Sequence, residues 1–140
     1  MKILLAADGS KFTKKALAFL AANDTMLGED SELVVLHVQS SLPPRVKTMV
    51  GATTVQDYHH DEAEKVLAPI RKFLDKHGLR YRASWVIGRN ADEIVRVAER
   101  EKAHMVVMGT HGHGLLGRAL MGSVAQRVVT DCSVPVLLVK

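Results

Sequence analysis

A single cysteine, Cys132, in 140 residues rules out an internal disulfide. Aromatic residues make up only 4% of the chain, and Tyr58, Tyr81 and Trp85 do not alternate with lysine or arginine. The net charge of +4 is scattered, with no basic run, so the surface reads as mixed and solvated rather than as a nucleic-acid face. No stretch approaches the roughly 20 apolar residues of a membrane span. Residues 1–7 open like a signal segment, but Asp8 cuts the apolar stretch short. Low-complexity tracts are missing, and so is the G-x-x-x-x-G-K-[ST] loop of the P-loop nucleotidases. What remains is the profile of a cytoplasmic protein that neither crosses membranes nor binds nucleic acid. At 47% apolar residues, the chain is expected to form one domain over residues 1–140, with enough core to fold alone.

Apolar runs at 3–7, 33–38, 81–87, 104–108 and 134–139 read as strands, and residues of helical spacing lie between them. Phe12, Ala16, Phe19, Leu20, Asn23 and Leu27 define the first helix, capped by Ser10 and stopped by Gly28. Residues 39 to about 54 hold Pro43-Pro44, show no period and read as a long loop, expected to close as a lid over a ligand. Val66, Leu67, Ile70, Phe73, Leu74 and His77 form a second helix, which Pro69 should kink or divide. Asn90 and Glu93 look like a capping box for the third, and a fourth covers about 122–131. Strict alternation of strand and helix, with unbroken apolar strands, predicts an α/β fold: a parallel sheet with helices on both faces. In such sheets ligands bind beyond the carboxyl ends of the strands, where the winding reverses.

Glycine is concentrated near one such end. Gly109-Thr110-His111-Gly112 follows the fourth strand, and Gly122-Ser123 opens the helix after it. Bare backbone N–H groups there can surround an anion, since no Cβ blocks the approach, and the helix start adds unpaired donors and partial positive charge. The chemistry this suits is phosphate. His111 and His113 lie on the loop and are expected to face phosphate rather than a metal. His59-His60 is expected to be solvated, and Cys132 to be inert. Gly112-His113-Gly114-Leu115-Leu116-Gly117 also spells a dinucleotide fingerprint, but only one helix and one strand follow it, so that reading fails.

Gly109-x2-Gly112-x9-Gly122-Ser123, together with Asp8-Gly9-Ser10 after the first strand, resembles the signature of the ATP-binding branch of the universal stress protein family. The likeness runs the whole length, through residues 33–38, Gly88, Val106-Val107-Met108 and residues 135–139. It implies a Rossmann-like, adenine nucleotide alpha hydrolase-like sheet of five strands in the order 3-2-1-4-5, with ATP at the carboxyl edge. By position, Ala7 and Asp8 would flank the adenosine and Val38 would touch the adenine face. Met108, Gly109 and Gly112 would shape the phosphate loop. Gly122, Ser123, Val124 and Ala125 would hold phosphates from the helix start. Asp8 would lie near the adenine or a phosphate-bound Mg or Mn ion. His113 stands where the family commonly has Arg or Lys, and Arg118 can compensate. The resemblance also implies a homodimer, paired through residues 134–139, whose apolar edge invites a second chain. Three functions stay open on these residues: a nucleotide-dependent regulatory or stress-response module, a slow ATP hydrolase, and a dimeric interaction protein without nucleotide.

Overall fold

The computed structural model describes residues 1–112 and 121–140. Strands β1 (Lys2–Ala6), β2 (Glu32–Gln39), β3 (Tyr81–Ile87), β4 (Met105–Gly109) and β5 (Val136–Val139) form one parallel sheet in the order β3-β2-β1-β4-β5. Alternation along the strands serves two cores. Leu4, Ala6, Val34, Leu36 and Val38 face helices α4 (Asn90–Arg100) and α5 (Ser123–Asp131). Ile3, Leu5, Ala7, Leu33 and Val35 face α1 (Lys11–Ala22) and the long α3 (Ala52–Lys76). Burial on both faces is why the central strands read as continuous apolar runs.

The helices depart from expectation in three places. α1 ends at Ala22 with Asn23 as its C-cap, whose backbone N–H and side-chain Nδ2 both donate to the Phe19 carbonyl; a 3-10 turn, Asp24–Leu27, carries the chain on to Gly28. The expected lid is not a loop: Pro44–Val50 forms a short helix, α2, and α3 begins at Ala52. Pro69 does not divide α3, since it lies on the exposed side, where water can take the carbonyl its ring leaves unpaired.

His59 is the clearest correction. It is buried in α3, not solvated, and neither ring nitrogen has a hydrogen-bond partner among the described residues. It occupies the inward stripe His59, Ala63, Leu67, Ile70 and Leu74, at a position that helical spacing reserves for an apolar side chain. Such an unsatisfied group costs about 1–3 kcal/mol.

At the amino edge of the sheet, Arg82 on β3 joins Glu32 on β2 (3.0 Å) and Glu101 at the end of α4 (2.9 Å), and Lys2 on β1 reaches Glu101 at 3.2 Å. Arg82, and after it Lys2, lowers the Glu101 pKa to about 2, against the opposing effect of partial burial. Glu101 therefore contributes stability above its ordinary value of 4.5, and the contribution fades as the pH falls toward 2. Its side chain is 17% exposed, so solvent screening brings the contribution to about 1–2 kcal/mol. Glu101→Gln is expected to lower the melting temperature at pH 7, and the gap to the parent should close in melts taken toward pH 2. A constant gap across that range would show that the charge is not what stabilises.

Candidate functional site

β1 and β4 are neighbours, Leu5 standing opposite Val107, and the chain leaves them on opposite sides of the sheet. Their carboxyl ends frame a cavity of about 460 Å³. Ala7, Asp8, Val38, Met108, Gly109, His111, Gly112, Gly122, Ser123, Val124 and Ala125 all line it. His113 and Arg118 lie outside the described residues.

Asp8 is held by the turn that follows β1. Its Oδ1 accepts from the Ser10 N–H at 2.9 Å and from the Thr13 hydroxyl at 2.8 Å, and that hydroxyl oxygen accepts the Asp8 N–H at 3.0 Å. Gly9 has φ +79°, a conformation that favours glycine, which tightens the turn. Ser10 caps α1, as its place before the helix suggests, accepting from Thr13 N–H.

Close approach explains the spaced glycines. A Cβ at Gly112 would stand 2.6 Å from Oδ2 of Asp8, and one at Gly109 would clash with Phe12 Cβ. At Gly122 it would meet the Thr110 carbonyl oxygen at 3.1 Å and His111 Cα at 3.2 Å. The Gly122 N–H donates to that same oxygen at 2.6 Å, folding the helix start back onto the loop. Gly122 is the N-cap of α5, and among the described residues no side chain caps this helix. Ser123 is instead its first residue, exposed beside the cavity. The first N–H groups of α5 have no partner within the helix, and Gly122 at the cap brings no side-chain acceptor of its own to compete for them. An anion fits there.

His111 is oriented by the Thr110 hydroxyl, 2.8 Å from its Nδ1. His37, near the end of β2, lines the cavity but is buried and engaged. The Ala7 carbonyl 2.9 Å from Nδ1 can only accept, so Nδ1 carries a proton and donates. Nε2 lies 3.0 Å from the carboxamide of Gln39, which completes the wall at the end of β2.

Gln39, Ser40, Thr13 and Asn90 line the cavity too, and the sequence reading did not assign them to it. The sheet order itself carries the signal for the first two, because β2 flanks β1 and its last residues must border the same crevice. Asn90 was expected to cap α4. Instead Arg89 is the N-cap, Glu93 N–H donates to the Arg89 carbonyl, and Asn90 opens the helix at the cavity rim. Asp8 is the one acidic group among the described lining residues, and no cluster of three His, Cys, Asp or Glu that could hold a metal exists among the described residues. Nor is any described helix long and apolar enough to cross a membrane.

Comparison with known proteins agrees with this architecture. The model of the Universal stress protein family matches residues 1–140. A universal stress protein of Thermus aquaticus is 35% identical over 138 residues, covering 99% of this chain and 97% of that protein. The solved structure of MJ0577, a universal stress protein of Methanocaldococcus jannaschii, superposes with a TM-score of 0.84 at 31% identity, over 99% of this chain and 94% of that one. The universal stress protein from Archaeoglobus fulgidus, solved in complex with dAMP, matches with a TM-score of 0.69 at 25% identity, over 100% and 98%. With the family model matching from the first residue to the last, this chain belongs to the universal stress protein family.

Proposed function

We propose that residues 1–140 act as one ATP-binding domain, a regulatory module of the cytoplasm whose output follows its nucleotide state. The observation that carries this reading is the meeting of three features on one cavity: the Asp8 turn, the Gly109–Gly112 loop and the glycine-led start of α5. The cavity's size lies within the range of about 300–1,000 Å³ common to small-molecule sites. The A. fulgidus relative in complex with dAMP supports an adenine nucleotide as the ligand class.

In this reading Val38 and Met108 supply the apolar faces for the base, with Ala7 and Asp8 beside the nucleoside. The backbone of Gly109 and Gly112 shapes the loop around the phosphates. Backbone donors from Gly122, Ser123, Val124 and Ala125 meet the phosphate charge as it leaves the loop, where the helix dipole adds to them. A Mg or Mn ion would have Asp8 as its protein ligand and would draw the rest of its shell from phosphate and water, the usual arrangement for Mg. A homodimer through β5 completes the proposal.

Native mass spectrometry of the protein purified without added nucleotide tests it. Bound ATP supports the regulatory module. Bound ADP would favour slow hydrolysis, with His111 as the group beside the phosphates. If no nucleotide is carried and ATP leaves the melting temperature unchanged, the nucleotide reading fails and an interaction protein remains.

A further inference from the structure

We propose that Lys11 and Lys15 form a subsite for the outer phosphates, so that the cavity favours a nucleoside triphosphate over a monophosphate; this rests on the nucleotide reading above. Both lysines lie over one ring. Their ammonium groups are 5.3 and 5.2 Å from the centroid of Phe12. The same ring packs against His111, centroid to centroid at 5.0 Å, while Phe12 Cβ is close enough to clash with a Cβ on Gly109. His111 and Gly109 line the cavity, whereas Lys11, Phe12 and Lys15 do not line it themselves; through the Phe12 ring each ammonium lies within about 10 Å of the His111 ring.

This placement is unfavourable for the protein alone. Like charges at i and i+4 repel on a helix surface, and the start of a helix repels cations. No acidic residue stands in the first turn of α1, and neither lysine joins an ion pair among the described residues. A polyanion leaving the loop past His111 would relieve both repulsions at once. A monophosphate, held at the α5 start, would extend less far toward them. The lysines also supply fixed positive charge on the β1 side of the site, independent of the side chain at position 113.

Isothermal titration of ATP and AMP into the parent and into Lys11→Gln/Lys15→Gln tests the subsite; glutamine keeps much of the stem that covers Phe12. ATP binding should weaken about tenfold in the variant while AMP affinity stays within twofold, and the salt dependence of ATP binding should become shallower. Unchanged ATP affinity would overturn the proposal. So would an equal loss for ATP and AMP, which would assign the lysines to packing of the Phe12–His111 contact. Should the parent bind neither nucleotide, the nucleotide reading fails on its own, and inorganic tripolyphosphate becomes the probe. Weaker tripolyphosphate binding by the variant would then uphold an oligophosphate subsite, and equal binding would end it.

Discussion

Gly122→Asp should abolish the rise in melting temperature that ATP gives the parent. A ligand that binds only the folded state at 100 times its Kd adds about 2.7 kcal/mol, which for a chain of this size is a shift of roughly 8 °C. The substituted residue places a carboxylate at the N-cap of α5, where it can accept the N–H groups otherwise offered to phosphate. The protein would then carry its own anion in the ligand's place, and its charge would repel another. Gly122 has φ −72° and ψ 160°, which aspartate adopts without strain. The new Cβ does crowd the Thr110 carbonyl and His111 Cα, at 3.1 and 3.2 Å. A helix cap contributes about 1 kcal/mol, similar to a mild overpacking cost, so the empty variant should melt close to the parent. Differential scanning fluorimetry with and without ATP reads both effects. A variant that gains as much from ATP as the parent does would show that phosphate is not held at this helix start.

The strands were legible because burial on both faces leaves them almost nothing but apolar residues, and their alternation with helices fixes the fold class. Sheet order came through family likeness, since no residue pattern alone says that β1 pairs with both β2 and β4. The first half of α3 was hidden by His59. Counted as polar, it breaks the stripe that runs through Ala63 and Leu67, although a buried imidazole fills the position much as an apolar ring would. Asn23 misled in the other direction: it fits the helical period, yet it is the C-cap of α1, its side chain bonded to the Phe19 carbonyl. At the site, glycine spacing pointed to the loop because the constraint is steric and local, with Phe12 and Asp8 close enough to clash with a Cβ at Gly109 and Gly112, and Thr110 crowding one at Gly122. Gln39, Ser40 and Asn90 carry no such mark. They reach the cavity only because their strand and helix are folded beside it.

The dimer seam makes the other large prediction, an all-or-none change in mass. β5 is one edge of the sheet, formed by Val136, Leu137, Leu138 and Val139. The opposite edge, β3, carries Arg82 and Ser84, which discourage pairing with another chain. The carbonyls of Pro135 and Val139 both accept from the β4 side, from Val106 N–H in the strand at 2.8 Å and from Thr110 N–H just after it at 3.0 Å. Backbone groups alternate sides along a strand, so the N–H and C=O of Val136 and Leu138 turn to the free edge. The donor that Pro135 lacks would have faced β4, so proline takes nothing from the outer edge. A second copy can therefore pair antiparallel about a two-fold axis through Leu137, both chains offering the same outward groups. Leu137 would then oppose its own copy at a non-hydrogen-bonded position, with Cβ atoms about 4.5–5.5 Å apart. Leu137→Lys sets two ammonium groups against each other there and removes the apolar contact. Size-exclusion chromatography with light scattering should give a dimer for the parent and a monomer for the variant. Leu137 also packs half-buried against the α1 and α3 side, so circular dichroism must show the variant folded, and Leu138→Pro, which removes an outward donor instead, should give the same monomer. If both variants fold and both elute as dimers, the two copies meet elsewhere.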